Sequence, residues 1–490
     1  MKNKFKLMYN QDCSNVFILT GESFKISHVN AMVDEVADAG VDIMLINGNG
    51  QRTVHPSKVR DTNWEEFDEY FIGDDKAEYW ESVPESYRNF DLRKNVTLQA
   101  KNFAESGNDY LAIALDRCRE KKMCPGVSVR MNDVHDAPFP DSYMHSHFYK
   151  DNLQFHLSND LESPWGRLAL NFEFKEVREH TLDYIQELVD NYSFDWLELD
   201  FLRSPYYFPK GKGSQYCDVM TDFVAQIKSI IDKSDNKICL SARVTSSPEV
   251  AFALGFDVKA WGDMKLIDAL SFGNFFSTAW NLPVDEYRAI LGDDIMLFPS
   301  NDAFGYTNRF ERALLPVQEE LINGFARQYQ DNGADGIELF NFFVVREPRN
   351  DLQADFSALG KLSDSSSKRV KIVVATSVES LAEIDLAQKI PTVTTNKNFP
   401  LSFDFLFPEP KSQTGKMYVH IFLVNPGQEN DTKFRINGKS IQSLSDEQQE
   451  NGDILLEIDA DVLKKGMNKL ELSSIKCDDI DCIYITNYFN

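Results

Sequence analysis

The segment Phe194-Asp195-Trp196-Leu197-Glu198-Leu199-Asp200-Phe201-Leu202-Arg203 carries the chemistry that stands out first. In an extended strand alternate side chains share a face, so Glu198 and Asp200 point the same way, with Asp200 nearer the end. A strand that only packs would carry Val or Leu at both positions. Burying two carboxylates side by side is costly, and their repulsion should raise at least one pKa. Acid–base or nucleophilic catalysis needs such a pair. The competing reading is structural, with the carboxylates ion-paired to Arg130, Arg203 or Arg243.

Other apolar runs end the same way. Ser128-Val129-Arg130-Met131-Asn132-Asp133 sends Ser128, Arg130 and Asn132 to one face, and Ser241-Ala242-Arg243 again places Arg on the inner side. In Gly336-Ile337-Glu338-Leu339-Phe340-Asn341, either Glu338 or Asn341 faces inward, but not both in a regular strand. The remaining ends supply Asn10 and Asp12, Asn47, Asn274, and Asn301 with Asp302. One polar strand end is ordinary, because strands often stop at Asn or Asp. A whole set of them suits a polyhydroxylated ligand, each hydroxyl of which needs a donor and an acceptor. On this reading Asp200 is the nucleophile or base, and Glu198, Glu338 and Asp302 compete for general acid. Asp12, Asn47, Arg130, Asn132, His135, Arg203, Arg243, Asn274 and Asn341 are the candidates for binding substrate. The arginines would hold hydroxyls or an acidic sugar, or keep Asp200 ionised.

Four of the 8 histidines, His135, His145, His147 and His156, fall in one stretch. If that stretch is extended, His145 and His147 share a face and could hold a metal, but spacing fixes no third ligand. Trp165, Trp196, Trp261, Trp280 and Tyr143 could stack on sugar faces, although core packing is the commoner use of such rings. There is no Gly-x-Ser-x-Gly elbow and no phosphate-binding glycine loop. No cofactor and no resident metal are expected.

The elements that must position these groups follow one grammar up to about residue 365. Short apolar strands at 5–9, 41–46, 126–131, 196–201, 238–244, 269–272, 295–298 and 336–340 alternate with amphipathic stretches such as 28–39, 177–191, 216–233 and 314–332. Eight such units predict a (β/α)8 TIM barrel. Long insertions at 48–95 and 132–166 follow the second and third strands, at the face where barrels keep their sites. A polar linker, Ser363 to Arg369, precedes seven short alternating strands with turn signals at Asn425-Pro426-Gly427, Asn437-Gly438 and Asn451-Gly452. The expected organisation is a barrel over 1–365, carrying the site, and an all-β sandwich domain over 366–490.

Composition sets the outer limits. The chain has 490 residues, 42% of them hydrophobic, which is ample for a large core. A net charge of −26 argues against nucleic acid or an anionic membrane as main partner. No apolar run of about 18 residues predicts a membrane span, and the polar start at Met1 gives no export signal, so a soluble chain is expected. The 7 cysteines lack zinc spacing and read as buried thiols.

Glu176-Val177-Arg178-Glu179-His180, the helix after it, and the 194–203 segment with Ser204-Pro205 resemble the family 10-like glycoside hydrolases of bacteria. Their pattern is an "EVR" helix start followed by "DGIELDFxRxP". Ala242-Arg243-Val244, Gly255-Phe256-Asp257-Val258, Trp261 and the 266–271 strand resemble their later motifs. The likeness covers roughly residues 5–350 and implies a barrel glycosidase without naming a sugar. Asp195, Glu198 and Asp200 also resemble the chitinase-like spacing, but Leu202 stands where the acid of those enzymes belongs. Asp200 matches the nucleophile of α-galactosidase-like barrels, whereas Asn274 stands near the place of their acid. Residues 464–472 and Asn437-Gly438 resemble jelly-roll modules appended to glycosidases. The resemblance thus implies a glycoside hydrolase acting on an oligo- or polysaccharide. Two alternatives stand beside it: a glycan-binding barrel without turnover, and a metal-dependent hydrolase or lyase built on His135, His145 and His147.

Overall fold

A computed structural model describes residues 6–18, 23–72, 80–81, 83–84, 89–157, 166–274, 278–302, 319–340, 369–376, 398–399, 401–410, 416–423, 432–442, 454–475 and 480–488. Its first eight strands are β1 (Lys6–Gln11), β2 (Ile43–Asn47), β3 (Cys124–Arg130), β4 (Trp196–Asp200), β5 (Cys239–Thr245), β6 (Ala269–Gly273), β7 (Met296–Asp302) and β8 (Gly336–Phe340). They pair in parallel, in chain order, and β8 returns to β1 to close a barrel. All eight predicted strands are present.

The described helices are α1 (Ile26–Asp38), α2 (Phe67–Phe71), α3 (Phe90–Glu105), α4 (Tyr110–Glu120), α5 (His147–Asp151), α6 (Lys175–Asn191), α7 (Cys217–Lys233), α8 (Pro248–Ala253), α9 (Val258–Asp263), α10 (Val284–Leu291) and α11 (Glu319–Asp331). Several start where a side-chain oxygen takes up a free backbone N–H. Asp109 accepts from Ala112, Ser146 from Tyr149, Ser247 from Val250 and Asp257 from Ala260.

An aspartate stands just before each even-numbered strand: Asp42, Asp195, Asp268 and Asp335. Asp42 accepts from the backbone of Leu7, Asp268 from Leu240 and Asp335 from Leu297, each on the strand before. These carboxylates satisfy backbone N–H groups at the barrel's N-terminal end, opposite the mouth. Asp195 instead meets Arg119 of α4 at 3.0 Å.

The barrel interior is layered. Met8, Ile43, Leu45, Trp196, Ala269 and Phe298 make an apolar floor. Above it, where such barrels usually carry branched aliphatic side chains, lie Asn10, Ser128, Glu198, Ser241, Arg243, Ser271, Ser300 and Glu338, all buried. The insertions after β2 and β3 pack on each other through Phe67, Phe71, Trp80, Val83 and Tyr143. Arg52 ties them further, donating to the carbonyls of His145, Thr62 and Glu65 and pairing with Glu66.

The remaining strands are β9 (Arg369–Thr376), β10 (Leu401–Phe407), β11 (Lys416–Leu423), β12 (Phe434–Ile436), β13 (Lys439–Ile441), β14 (Ile454–Asp459), β15 (Gly466–Leu472) and β16 (Ile480–Tyr488). They form two antiparallel sheets, β10-β15-β12-β13 and β14-β11-β16-β9, around a separate apolar core, which is the expected sandwich. The sequence pattern missed β13, whose side chains are partly exposed. It pairs with β12 across Asn437-Gly438, with φ of 50° and 81°, the two positive angles that a tight hairpin turn demands. The seam expected at 365/366 lies outside the described residues.

Candidate active site

β4 ends in the carboxylates that the alternation predicted, and both are buried. Asp200 Oδ1 accepts from the backbone N–H of Leu202 (3.1 Å) and Arg203 (2.9 Å), because the chain turns sharply after the strand. It also accepts from Arg243 Nη1 of β5 at 3.0 Å. Oδ2 is engaged by none of these donors. Arg243 lies in register with Asp200 on the neighbouring strand, which is why they meet. Its Nε reaches Glu338 at 3.6 Å and Ser300 Oγ at 3.4 Å, and its guanidinium lies 3.7 Å from the Phe340 ring centre. Burial opposes this cation, but Asp200, Glu338 and Glu198 outweigh it and raise its pKa.

Glu198 Oε1 accepts from Asn10 Nδ2 (2.8 Å) and from Ser128 Oγ (2.9 Å). Its Oε2 is buried with no hydrogen-bond partner among the described residues, while the Ser271 hydroxyl is a further donor beside Glu338. Burial, then the charges of Glu338 and Asp200, push the Glu198 pKa well above the ordinary range. Burial also raises that of Glu338; Arg243 opposes the rise and Asp200 adds to it. Of the two inward options on β8, the structure has Glu338 facing in. Asn341 lies outside the described residues.

A second charged group sits beside this one. Arg130 pairs with Asp12 and, at 3.4 Å, with Asp133. Asp133 also takes His135 Nδ1 at 2.8 Å, while Arg203 Nη2 lies 3.1 Å from His135 Nε2. A guanidinium only donates, so Nε2 accepts here and Nδ1 carries the proton toward Asp133. Burial would raise the Asp133 pKa, but the N–H of His135 and the charges of Arg130 and Arg203 hold it below the carboxylate range. Burial likewise loses to Arg130 and Arg203 at Asp12, whose pKa is lowered. No feature of the sequence marked Asp133 as more than a strand end. Its contacts with His135 and Arg130 are local, made by the turn that follows β3.

The other expected binding residues divide. Asn47 donates to the carbonyl of Ser128 at 2.9 Å. Asn132 donates to the carbonyls of Leu170 (2.8 Å) and Tyr206 (2.5 Å) and accepts from Leu170 N–H, so its amide clamps two loops. Asn274 is buried just after β6. Asp302 is buried at the end of β7, and its charge acts on Arg243. Trp196 donates to Ser241 in the barrel floor and Trp261 to Thr221, while Trp280 and Tyr143 are buried in core clusters. Trp165 lies outside the described residues.

The histidines expected as metal ligands go to different partners. His145 is buried with Nδ1 at the Pro140 carbonyl, and His147 meets Asp61 and Glu66. Among the described residues, the set of three or more potential ligands that comes together is Asp61, Glu65 and His147, which includes neither His135 nor His145. No helix of the described residues is long and apolar enough to cross a membrane.

No protein-family model matches the chain, and no curated protein matches it. Among solved structures it is similar to a noncanonic maltogenic α-amylase from Thermotoga neapolitana, at 10% identity and TM-score 0.41 over 97% of this chain and 100% of that one. An endo-β-1,4-mannanase from Thermotoga petrophila matches at 10% identity and TM-score 0.43, over 100% of this chain and 98% of that one. α-L-Fucosidase isoenzyme 2 from Paenibacillus thiaminolyticus matches at 9% identity and TM-score 0.44, over 76% of this chain and 51% of that one.

Proposed function

We propose that the chain is a glycoside hydrolase acting on an oligo- or polysaccharide, with Asp200 as nucleophile or general base and a carboxyl of Glu198 or Glu338 as general acid. The observation that carries this reading is the division of roles around one guanidinium. Asp200 has one oxygen fixed by three N–H donors and the other left out of those bonds, as an attacking or proton-accepting oxygen needs. Glu198 and Glu338 keep protons to higher pH through burial and repulsion, as a proton donor needs. A carboxyl whose pKa is raised, set beside a carboxylate held by N–H donors, can serve as the acid of such a pair. Asp200 attacks the anomeric carbon, or takes a proton from the attacking water, as the acid protonates the departing oxygen. The mouth around them offers Asp12, Arg130, His135 and Arg203, whose mixed donors and acceptors suit sugar hydroxyls.

The test runs wild type and Asp200→Asn against aryl glycosides and polysaccharides, with product release and thermal shift read together. Wild type is expected to release reducing ends. Asp200→Asn should stay folded and be slower by about 10²–10⁴-fold. Hydrolysis by Asp200→Asn at the wild-type rate would falsify the assignment. Thermal shifts from a glycan, with no product from either protein, would replace hydrolysis by binding.

A further inference from the structure

Glu198 on β4 and Glu338 on β8 stand four strands apart in a closed ring of eight, on opposite walls of the barrel. Both are fully buried, yet both turn an Oε1 to the same amide nitrogen, Asn10 Nδ2, at 2.8 Å and 3.4 Å. That nitrogen also reaches Ser128 Oγ at 3.1 Å, and Ser128 in turn donates to Glu198. An amide has two hydrogens, so it cannot satisfy two full carboxylates and a hydroxyl at once. Glu198 also keeps an Oε2 without a partner among the described residues, while the Ser271 hydroxyl is the further donor beside Glu338. Among the described residues, the charged groups around the pair are Asp200, Asp302 and the guanidinium of Arg243. Fully ionised, the cluster would hold several negative charges against one positive charge in a dry interior, which is unfavourable.

We propose that Glu198 and Glu338 hold one proton in common, with Asn10 and Ser128 as positioning residues that keep the two carboxyls converged, and that this is the proton given to the departing oxygen. The last clause rests on the glycosidase reading; the shared proton does not. Arg243 pairs with Glu338, so the proton at rest lies on Glu198 and the negative charge on Glu338. In the reaction the proton leaves the pair as the glycosidic C–O bond breaks and its electron pair stays on the departing oxygen. The water that enters at the sugar returns one proton to the protein, so the site is restored with no net change.

The experiment needs no substrate. Infrared spectra of the intact chain are followed through a pH titration in wild type, Glu198→Gln, Glu338→Gln and Asn10→Ala, reading the C=O band of a protonated carboxyl. Wild type should show the band at neutral pH, and Glu198→Gln should lose it. Glu338→Gln should keep the band but move its midpoint to lower pH, because one repelling charge is gone. Asn10→Ala should move the midpoint to higher pH, since a donor that favours the carboxylate is removed. No band in wild type at neutral pH overturns the proposal, as does a midpoint unmoved in Glu338→Gln. If Glu198→Gln fails to fold, the wild-type band and the other two variants still decide it. Shifts as stated without glycoside turnover in wild type would leave the shared proton standing and remove the enzymatic reading alone.

Discussion

Arg243 is the residue on which the acidic centre depends, because its guanidinium meets Asp200 and Glu338 together and is itself buried. Arg243→Leu is expected to cost about 3–5 kcal/mol, since it leaves buried carboxylates without their cation. Denaturant unfolding at neutral pH measures this, and a loss under about 1 kcal/mol would show that the pair is not a unit. The carboxylates on the other side respond to pH in the opposite sense from Glu198. The Asp133 pKa is depressed in the folded chain, because His135, Arg130 and Arg203 together exceed the effect of burial. Its stabilising contribution is present above the ordinary carboxylate pKa and is lost as pH falls below about 4. Asp133→Asn should therefore be less stable than wild type at neutral pH but less sensitive to acid. Melting temperatures across that range would test this, and parallel pH curves for the two proteins would refute it.

At the scale of elements, the insertions after β2 and β3 act as one built cap rather than two loose loops. Arg52 joins Thr62, Glu65 and Glu66 to the His145 backbone, and Arg93 of α3 pairs with Asp136. The rings of Phe71 and Tyr143 pack at 5.0 Å across the two insertions. Asn132 adds a clamp to the backbone at Leu170 and Tyr206. Because it is buried, Asn132→Ala leaves those carbonyls without a donor and should cost about 1–3 kcal/mol. Amide exchange should rise around Leu170 and Tyr206 and stay unchanged in the strands. Uniform exchange over the whole barrel would mean that the clamp is not local.

For the whole molecule, the sandwich is packed onto the barrel rather than tethered to it. Val373, Leu406 and Cys482 of the sandwich belong to the same apolar cluster as the barrel helices. Asn281 bonds the backbone of Val374 and Leu406, while Gln328 of α11 donates to Leu406 and Asn332, the residue just after that helix, donates to Phe407. Gly324 lies under the Lys371 backbone of β9, so a Cβ there would collide with it. Gly324→Val should therefore destabilise by about 1–3 kcal/mol by overpacking that contact. Barrel and sandwich should melt together in wild type, read by fluorescence and calorimetry. Two independent transitions would show that the interface carries no stability.

Sequence alone was enough for the strand-and-helix grammar, the sandwich pattern and the inward pairing of Glu198 with Asp200. Each depends on a period of two or of about 3.6 residues, which is a local property of the chain. The edge strand β13 escaped because its exposed side chains leave no alternation to read. Which groups meet across the barrel was settled only by its closure. Asn10 touches Glu198 and Glu338, 188 and 328 residues away, because three strands converge on one interior layer. The roles of Asn47 and Asn132 depend on which carbonyls the fold leaves needing a donor, and no side-chain pattern records that. The histidines separate because each finds a different partner: His135 the nearby Asp133, His145 the Pro140 carbonyl of its own loop, and His147 Asp61 of the other insertion, which only tertiary packing supplies.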